Sequence, residues 1–216
     1  MTANRAAPLT GLAFIALFAA SVMTSNAPAN TASNSAWVAA YATHGDQAEH
    51  LATGICLVLA GLCLATFLTH LWTRVVAARR PDVVNPLPVV AAGISASCIA
   101  AGGIMMATAS GSSLIFSQPI PDAAILRLGN DLGFALVALA GMPAAALSIA
   151  CLSFQARAAG IMTTRMMRFS LVVSVVLLGS LAFIPIIALV IWLLVVAIPL
   201  IRRPALEERP LVPTRA

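Results

Sequence analysis

Lysine is absent from this 216-residue chain, and charged residues of all kinds make up only 9% of it, against about 25% in soluble domains. Without lysine there is no P-loop to hold a nucleotide's phosphates and no amine for a retinal or pyridoxal Schiff base. No HExxH, GxSxG or CxxC occurs, so zinc-dependent hydrolysis, a serine nucleophile elbow and dithiol exchange lack their parts. The long apolar runs contain no Asp, Glu or Arg. That removes a mid-membrane aspartate pair and the ionisable chain on which coupled ion transport normally depends. The chain reads as no enzyme and as needing no cofactor.

What is present is apolar: 61% of the residues are hydrophobic, a membrane composition. Six runs stand out, at 9–25, 51–72, 87–107, 132–154, 169–184 and 186–201, each near the length of a spanning helix. The first follows Arg5 and is marginal in length. It is read as an uncleaved span, with a signal peptide cleaved near Ser25-Asn26-Ala27 as the alternative for residues 1–27. Asp46 and Glu49 precede the second run and suggest an Asp cap with a reciprocal Glu. Asn85-Pro86 opens the third, where Asn can cap and Pro suits the first helical position. Asn130-Asp131 is expected to cap the fourth, and Pro143 to kink it. The last apolar stretch, Phe169 to Ile201, has 33 residues. As one helix it would be roughly 50 Å long, against a hydrocarbon core of about 30 Å. Pro185 divides it into a helical hairpin.

Orientation supports that division, because cytoplasmic loops of bacterial membrane proteins are rich in Arg and Lys. With six spans, eleven of the twelve arginines share one side: Arg5, Arg74, Arg79, Arg80, Arg157, Arg165, Arg168, Arg202, Arg203, Arg209 and Arg215, leaving Arg127 opposite. A single final span would weaken the bias to seven against five. The expected fold is therefore an all-α polytopic transmembrane helical bundle, one domain over 1–216, with six spans and both termini inside (N-in/C-in). The arginines sit in small groups beside apolar runs, which speaks for lipid headgroups and against nucleic acid.

Lipid tails compete with apolar packing, so spans associate through small residues that let backbones approach. Gly93, Ser97 and Ala101, then Gly103 and Ala107, give such a stripe on the third run. Ala140, Ala144 and Ser148 repeat it on the fourth, and Cys56, Ala60, Cys63 and His70 form a face on the second. The four cysteines, including Cys98 and Cys151, read as small packing residues. Trp37 and Tyr41 are expected to lay both rings at the headgroup level.

The densest set of metal-type donors is His44, Asp46, Glu49 and His50. Two imidazoles and two carboxylates can hold a divalent ion, with Met23, Met105 and Met106 expected near the same surface. The spacing matches no zinc pattern and the carboxylates already have a capping role, so no metal site is assigned. His50 and His70 lie roughly 30 Å apart along one helix, which argues against a bis-His haem. Asp131, one turn beyond Arg127, is read as a surface cap or ion pair.

Three stretches together carry a resemblance: Ala40-Tyr41-Ala42-Thr43-His44 through Glu49, Leu126-Arg127-Leu128-Gly129-Asn130-Asp131-Leu132-Gly133-Phe134-Ala135-Leu136, and the apolar hairpin closed by Arg202-Arg203. In these the chain resembles a group of actinobacterial multi-spanning membrane proteins of uncharacterised function. The resemblance implies about six helices and no catalytic residue. The expectation is an integral protein of the bacterial plasma membrane that works as a small accessory or interaction protein, through a membrane-protein partner or a second copy. The alternative is a permease for a small neutral or lipophilic solute, which requires a mid-depth cavity lined by groups such as Ser95, Ser97, Ser148 or Thr108.

Overall fold

The computed structural model describes residues 3–78, 85–179 and 184–202. All regular structure among them is helical: α1 Ala3–Met23, α2 Asn34–Ala39, α3 His44–Ala78, α4 Leu87–Phe116, α5 Ala123–Ala135, a π-helical segment Leu136–Gly141, α6 Met142–Ala158, α7 Thr164–Leu177 and α8 Ile184–Arg202. Helices are the form that satisfies every backbone polar group within one segment, as hydrocarbon requires. Four are long and apolar enough to cross a membrane: Ala6–Met23, His44–Ala78, Leu87–Phe116 and the continuous rod Ala123–Ala158; Ile186–Ile201 is a shorter apolar helix. The second half of the chain thus contributes one spanning-length rod and two shorter helices, α7 having 14 residues.

Helix ends differ from the ends of the apolar runs. α3 has 35 residues and α4 has 30, about 52 and 45 Å, so both outrun the hydrocarbon thickness. α3 starts on a box formed by Thr43 and Asp46, not by Asp46 and Glu49: the Asp46 N–H donates to Thr43 Oγ1 at 3.1 Å, and the Thr43 N–H donates back to Asp46 Oδ2 at 3.2 Å. Asn85 does cap α4, its Oδ1 accepting from the Leu87 N–H at 2.9 Å. α4 runs on past Ala107 and ends with Ser117 in the left-handed region, φ 54°, two residues before Pro119.

The cap expected at Asn130-Asp131 is overturned, because the helix begins a full two turns earlier, at Ala123, after an extended Asp122 whose carbonyl accepts from Ile125 and Leu126. Leu126 is buried against Trp37 and Ala123, and that contact extends the helix beyond its apolar run. At Pro143 the helix continues, and its winding changes just before the proline. A proline deletes one N–H and crowds the carbonyl four residues back; the chain answers with the π turn just before it, in which the Met142 N–H donates to the Val137 carbonyl five residues back.

The break in the last apolar stretch comes earlier than Pro185, which lies in the first turn of α8, where its missing N–H costs no helical bond. Residues 180–183 lie outside the described residues, as do Arg79, Arg80, Asp82 and the tail from Arg203 through Glu207, Glu208, Arg209 and Arg215. α7 and α8 nevertheless pair as a hairpin. Trp192 Nε1 donates to Ser170 Oγ at 2.8 Å, and the two residues are nearly equidistant from the break.

The tightest packing joins α3 to α4. A methyl added at Gly54 would meet the Gly103 carbonyl at 2.5 Å, one at Gly103 would meet the Gly54 carbonyl at 2.6 Å, and one at Gly61 would meet the Ala96 carbonyl at 2.8 Å. The pairs 54/103 and 61/96 are seven residues apart on both helices, the step of an antiparallel seam. Of the small residues expected to form the packing stripe on α4, Gly103 and Ala107 lie in this seam, while Gly93 and Ser97 do not. Cys56 and Cys63 flank this seam half-buried, and Gly93 and Ser97 face outward, with nothing within 4 Å of a methyl at Gly93. A second backbone contact joins α4 to α5 at Gly102 and Gly133, where a methyl at Gly102 would meet the Gly133 carbonyl at 2.6 Å.

Helix contacts close a ring in the order α1, α3, α4, α5–α6, α7, α8 and back to α1, and α3 also touches α6 across the middle. Neighbouring rods in the ring run antiparallel wherever paired contacts fix their direction: Gly11 packs on Phe67 while Thr24 Oγ1 lies 2.9 Å from Thr53 Oγ1, and Ser148 Oγ donates to the Pro88 carbonyl at 2.7 Å. Phe14, Leu64, Phe67, Ile149, Leu189 and Trp192 fill the interior, with Phe67 edge-on to Trp192 at 6.2 Å.

Candidate functional site

The chemistry-bearing residues gather at one end of the bundle, here called the cap end, where α1 and α4 finish and α3 and α5 begin. Residues 24–43 fold over that end. Ser33 Oγ accepts from the Ala36 N–H and starts α2, which carries Trp37 down onto Ala123 and Leu126. Trp37 is 0% exposed and Tyr41 3%. Both rings are therefore turned into the protein and do not lie out on the lipid headgroups as the anchoring reading requires. Burying two aromatic rings against α5 removes more apolar surface from water than laying them flat would.

Tyr41 stacks on His50 with ring centroids 4.1 Å apart and planes within 7°. The His50 Nε2 lies 3.2 Å from the Ala40 carbonyl, and Gln47 Nε2 donates to the Tyr41 carbonyl at 2.9 Å. Arg127 reaches back from α5: its Nη2 donates to the Ala32 carbonyl, and its guanidinium sits 5.7 Å from the centre of the Trp37 ring. Arg127 is thus tied to the cap and not to Asp131. The buried atoms Trp37 Nε1, Gln47 Oε1, Ser110 Oγ and Arg127 Nε have no hydrogen-bond partner among the described residues. Gln47 and Ser110 are one seven-residue step beyond the Gly54/Gly103 contact along the same two helices, and both are buried. Burial holds the Tyr41 phenol above its ordinary pKa of 10.

The four donor-type residues do not converge. Asp46 Oδ2 also accepts from Thr43 Oγ1 at 2.7 Å, Glu49 accepts from Asn26 Nδ2, and His50 is turned inward onto Tyr41, while His44 heads α3. Among the described residues no three His, Cys, Asp or Glu are placed to share a metal ion. The four cysteines are free and half-buried.

Beside the cap, α4 and α5 bound a half-open cleft of about 430 Å³. Met105, Met106 and Thr108 line it from α4, Leu128 and Leu132 from α5, and Tyr41 from the cap. Of the serines and threonine expected around a solute cavity, only Thr108 is here. Ser95 and Ser148 are fully buried in helix contacts, and Ser97 faces outward. The cleft had no sequence signal, because Tyr41 and the α4 and α5 walls are separate stretches brought together by contacts distant in sequence.

The described residues define an all-helical chain with several helices of membrane-spanning length and composition. No family model, curated protein or solved structure matches it.

Proposed function

We propose that this chain is a multi-pass protein of the bacterial plasma membrane, with six spans and both termini cytoplasmic, and that it acts as a small accessory protein through helix packing with a second copy or another membrane protein. Antiparallel packing of neighbouring helices and the clustering of eleven arginines on one side under a six-span topology support this reading. The same proposal assigns the chain to the actinobacterial group that its 40–49 and 126–136 stretches resemble, without enzymatic activity. The observation that carries it is the filled centre: Phe14, Leu64, Phe67, Ile149 and Trp192 are fully buried where a permease needs a path. Outside, Gly93 and Ser97 leave α4 a smooth outward strip on which another helix can approach closely.

The second reading, a permease for a small neutral or lipophilic solute, is favoured by the cleft that Thr108 lines. Affinity purification from native membranes in mild detergent separates the two. An accessory protein retains a stoichiometric partner, or itself, and loses it in Gly93→Leu with the fold intact. Recovery of the chain alone, together with solute uptake into proteoliposomes, decides for the permease.

A further inference from the structure

The cleft beside the cap combines an apolar wall with a few polar groups, the Tyr41, Thr108 and Ser112 hydroxyls and the exposed Gln118 amide. Tyr41 is 3% exposed, lines the cleft and stacks one ring face on His50, yet its hydroxyl makes no hydrogen bond to any described residue. The Thr108 hydroxyl on the same wall is already used, donating to the Ile104 carbonyl at 2.7 Å. No charged side chain lines the cleft. Arg127, the cation on this stretch of α5, is committed to Ala32 and Trp37 and does not line the cleft. Met105, Leu128 and Leu132 are also well exposed on the outer surface of the bundle, the surface that lipid covers under the membrane topology proposed above, on which this inference rests. Its volume is in the range of small-molecule sites, about 300–1,000 Å³.

We propose that this cleft binds an uncharged lipophile, drawn from the bilayer, whose polar end carries an oxygen that accepts a hydrogen bond from Tyr41. The apolar body lies between Met105 on α4 and Leu128 and Leu132 on α5. Methionine suits such a wall because its flexible, polarisable side chain adapts to chain shape. The proposal holds whether or not the protein has a protein partner.

The test uses the full-length protein in phosphatidylcholine nanodiscs and a monoacylglycerol carrying a diazirine on its chain. Cross-linked peptides are mapped by mass spectrometry, with a diazirine alkane lacking the polar end and a diazirine fatty acid at pH 8.5 as comparison probes. Label is expected to concentrate on 105–112 and 125–132. Blocking the cleft with Leu128→Trp, or from the opposite wall with Thr108→Trp, should lower it about fivefold, whereas Ile94→Trp elsewhere on α4 should not. Tyr41→Phe should lower monoacylglycerol labelling by about the same factor, the scale of one lost hydrogen bond, and leave the alkane unaffected. Label spread evenly over lipid-facing helices, or unchanged by both blocking variants, overturns the site. Equal labelling by the fatty acid overturns the uncharged ligand.

Discussion

Two glycines of identical local sequence character behave oppositely. Gly54 faces a carbonyl at a distance no side chain tolerates, while Gly93 faces open space. Gly54→Leu should therefore force α3 and α4 apart and cost about 1–3 kcal/mol, the usual scale for overpacking. Gly93→Leu should stay within about 0.5 kcal/mol, as exposed substitutions do. Thermal unfolding of the two variants in one detergent checks both. Spacing alone could not separate them, since small residues recur every four positions on several faces of α4 and only the partner helix selects one. The sole tyrosine offers a second residue-scale test, as tyrosinate absorbance reports Tyr41 alone. A buried phenol titrates above 10, and one lying in headgroups would titrate near 10. Because the folded pKa is the raised one, Tyr41's contribution to stability is complete below pH 10. It is lost as pH rises from 10 through the folded value. An absorbance midpoint at the ordinary phenol pKa in the folded protein contradicts the burial.

At the scale of the element, apolar runs located the rods but not their ends. Run length reflects hydrocarbon thickness, whereas a helix stops where its terminal N–H and C=O groups find partners. Those partners here are Thr43 with Asp46, Asn85, the Asp122 carbonyl and the left-handed Ser117. Asn85 was legible because a proline follows it. Thr43 was not, because Asp46 and Glu49 offered a more conspicuous pattern three residues later. Thr43→Ala should cost about 0.5–2 kcal/mol and speed hydrogen exchange at the Asp46 and Gln47 amides, whereas Glu49→Gln should leave those amides unchanged. Equal effects from both variants would return the cap to Glu49.

At the scale of the whole molecule, the fold is a ring of antiparallel rods, closed where α8 meets α1 and α3. Trp192 is the closing residue: fully buried, bonded to Ser170 and edge-on to Phe67. Trp192→Ala should cost about 3–5 kcal/mol, read as a drop in thermal midpoint, with Ser170→Ala costing about 1–3 by leaving the indole N–H buried and unpaired. Composition and arginine placement carried the class and the hairpin, since both depend on sums over many residues. The cap and its cleft depend on a few long-range contacts, Arg127 with Ala32 and Trp37 above all, and no local pattern encodes those.

The proposed topology has six spans with both chain ends on the cytoplasmic face. Paired reporter fusions at Ala216 and in the α4–α5 connection at Pro121 measure this directly, one reporter active only in the cytoplasm and the other only in the periplasm. The account predicts a cytoplasmic signal from Ala216 and a periplasmic one from Pro121; a periplasmic signal from Ala216 would contradict it.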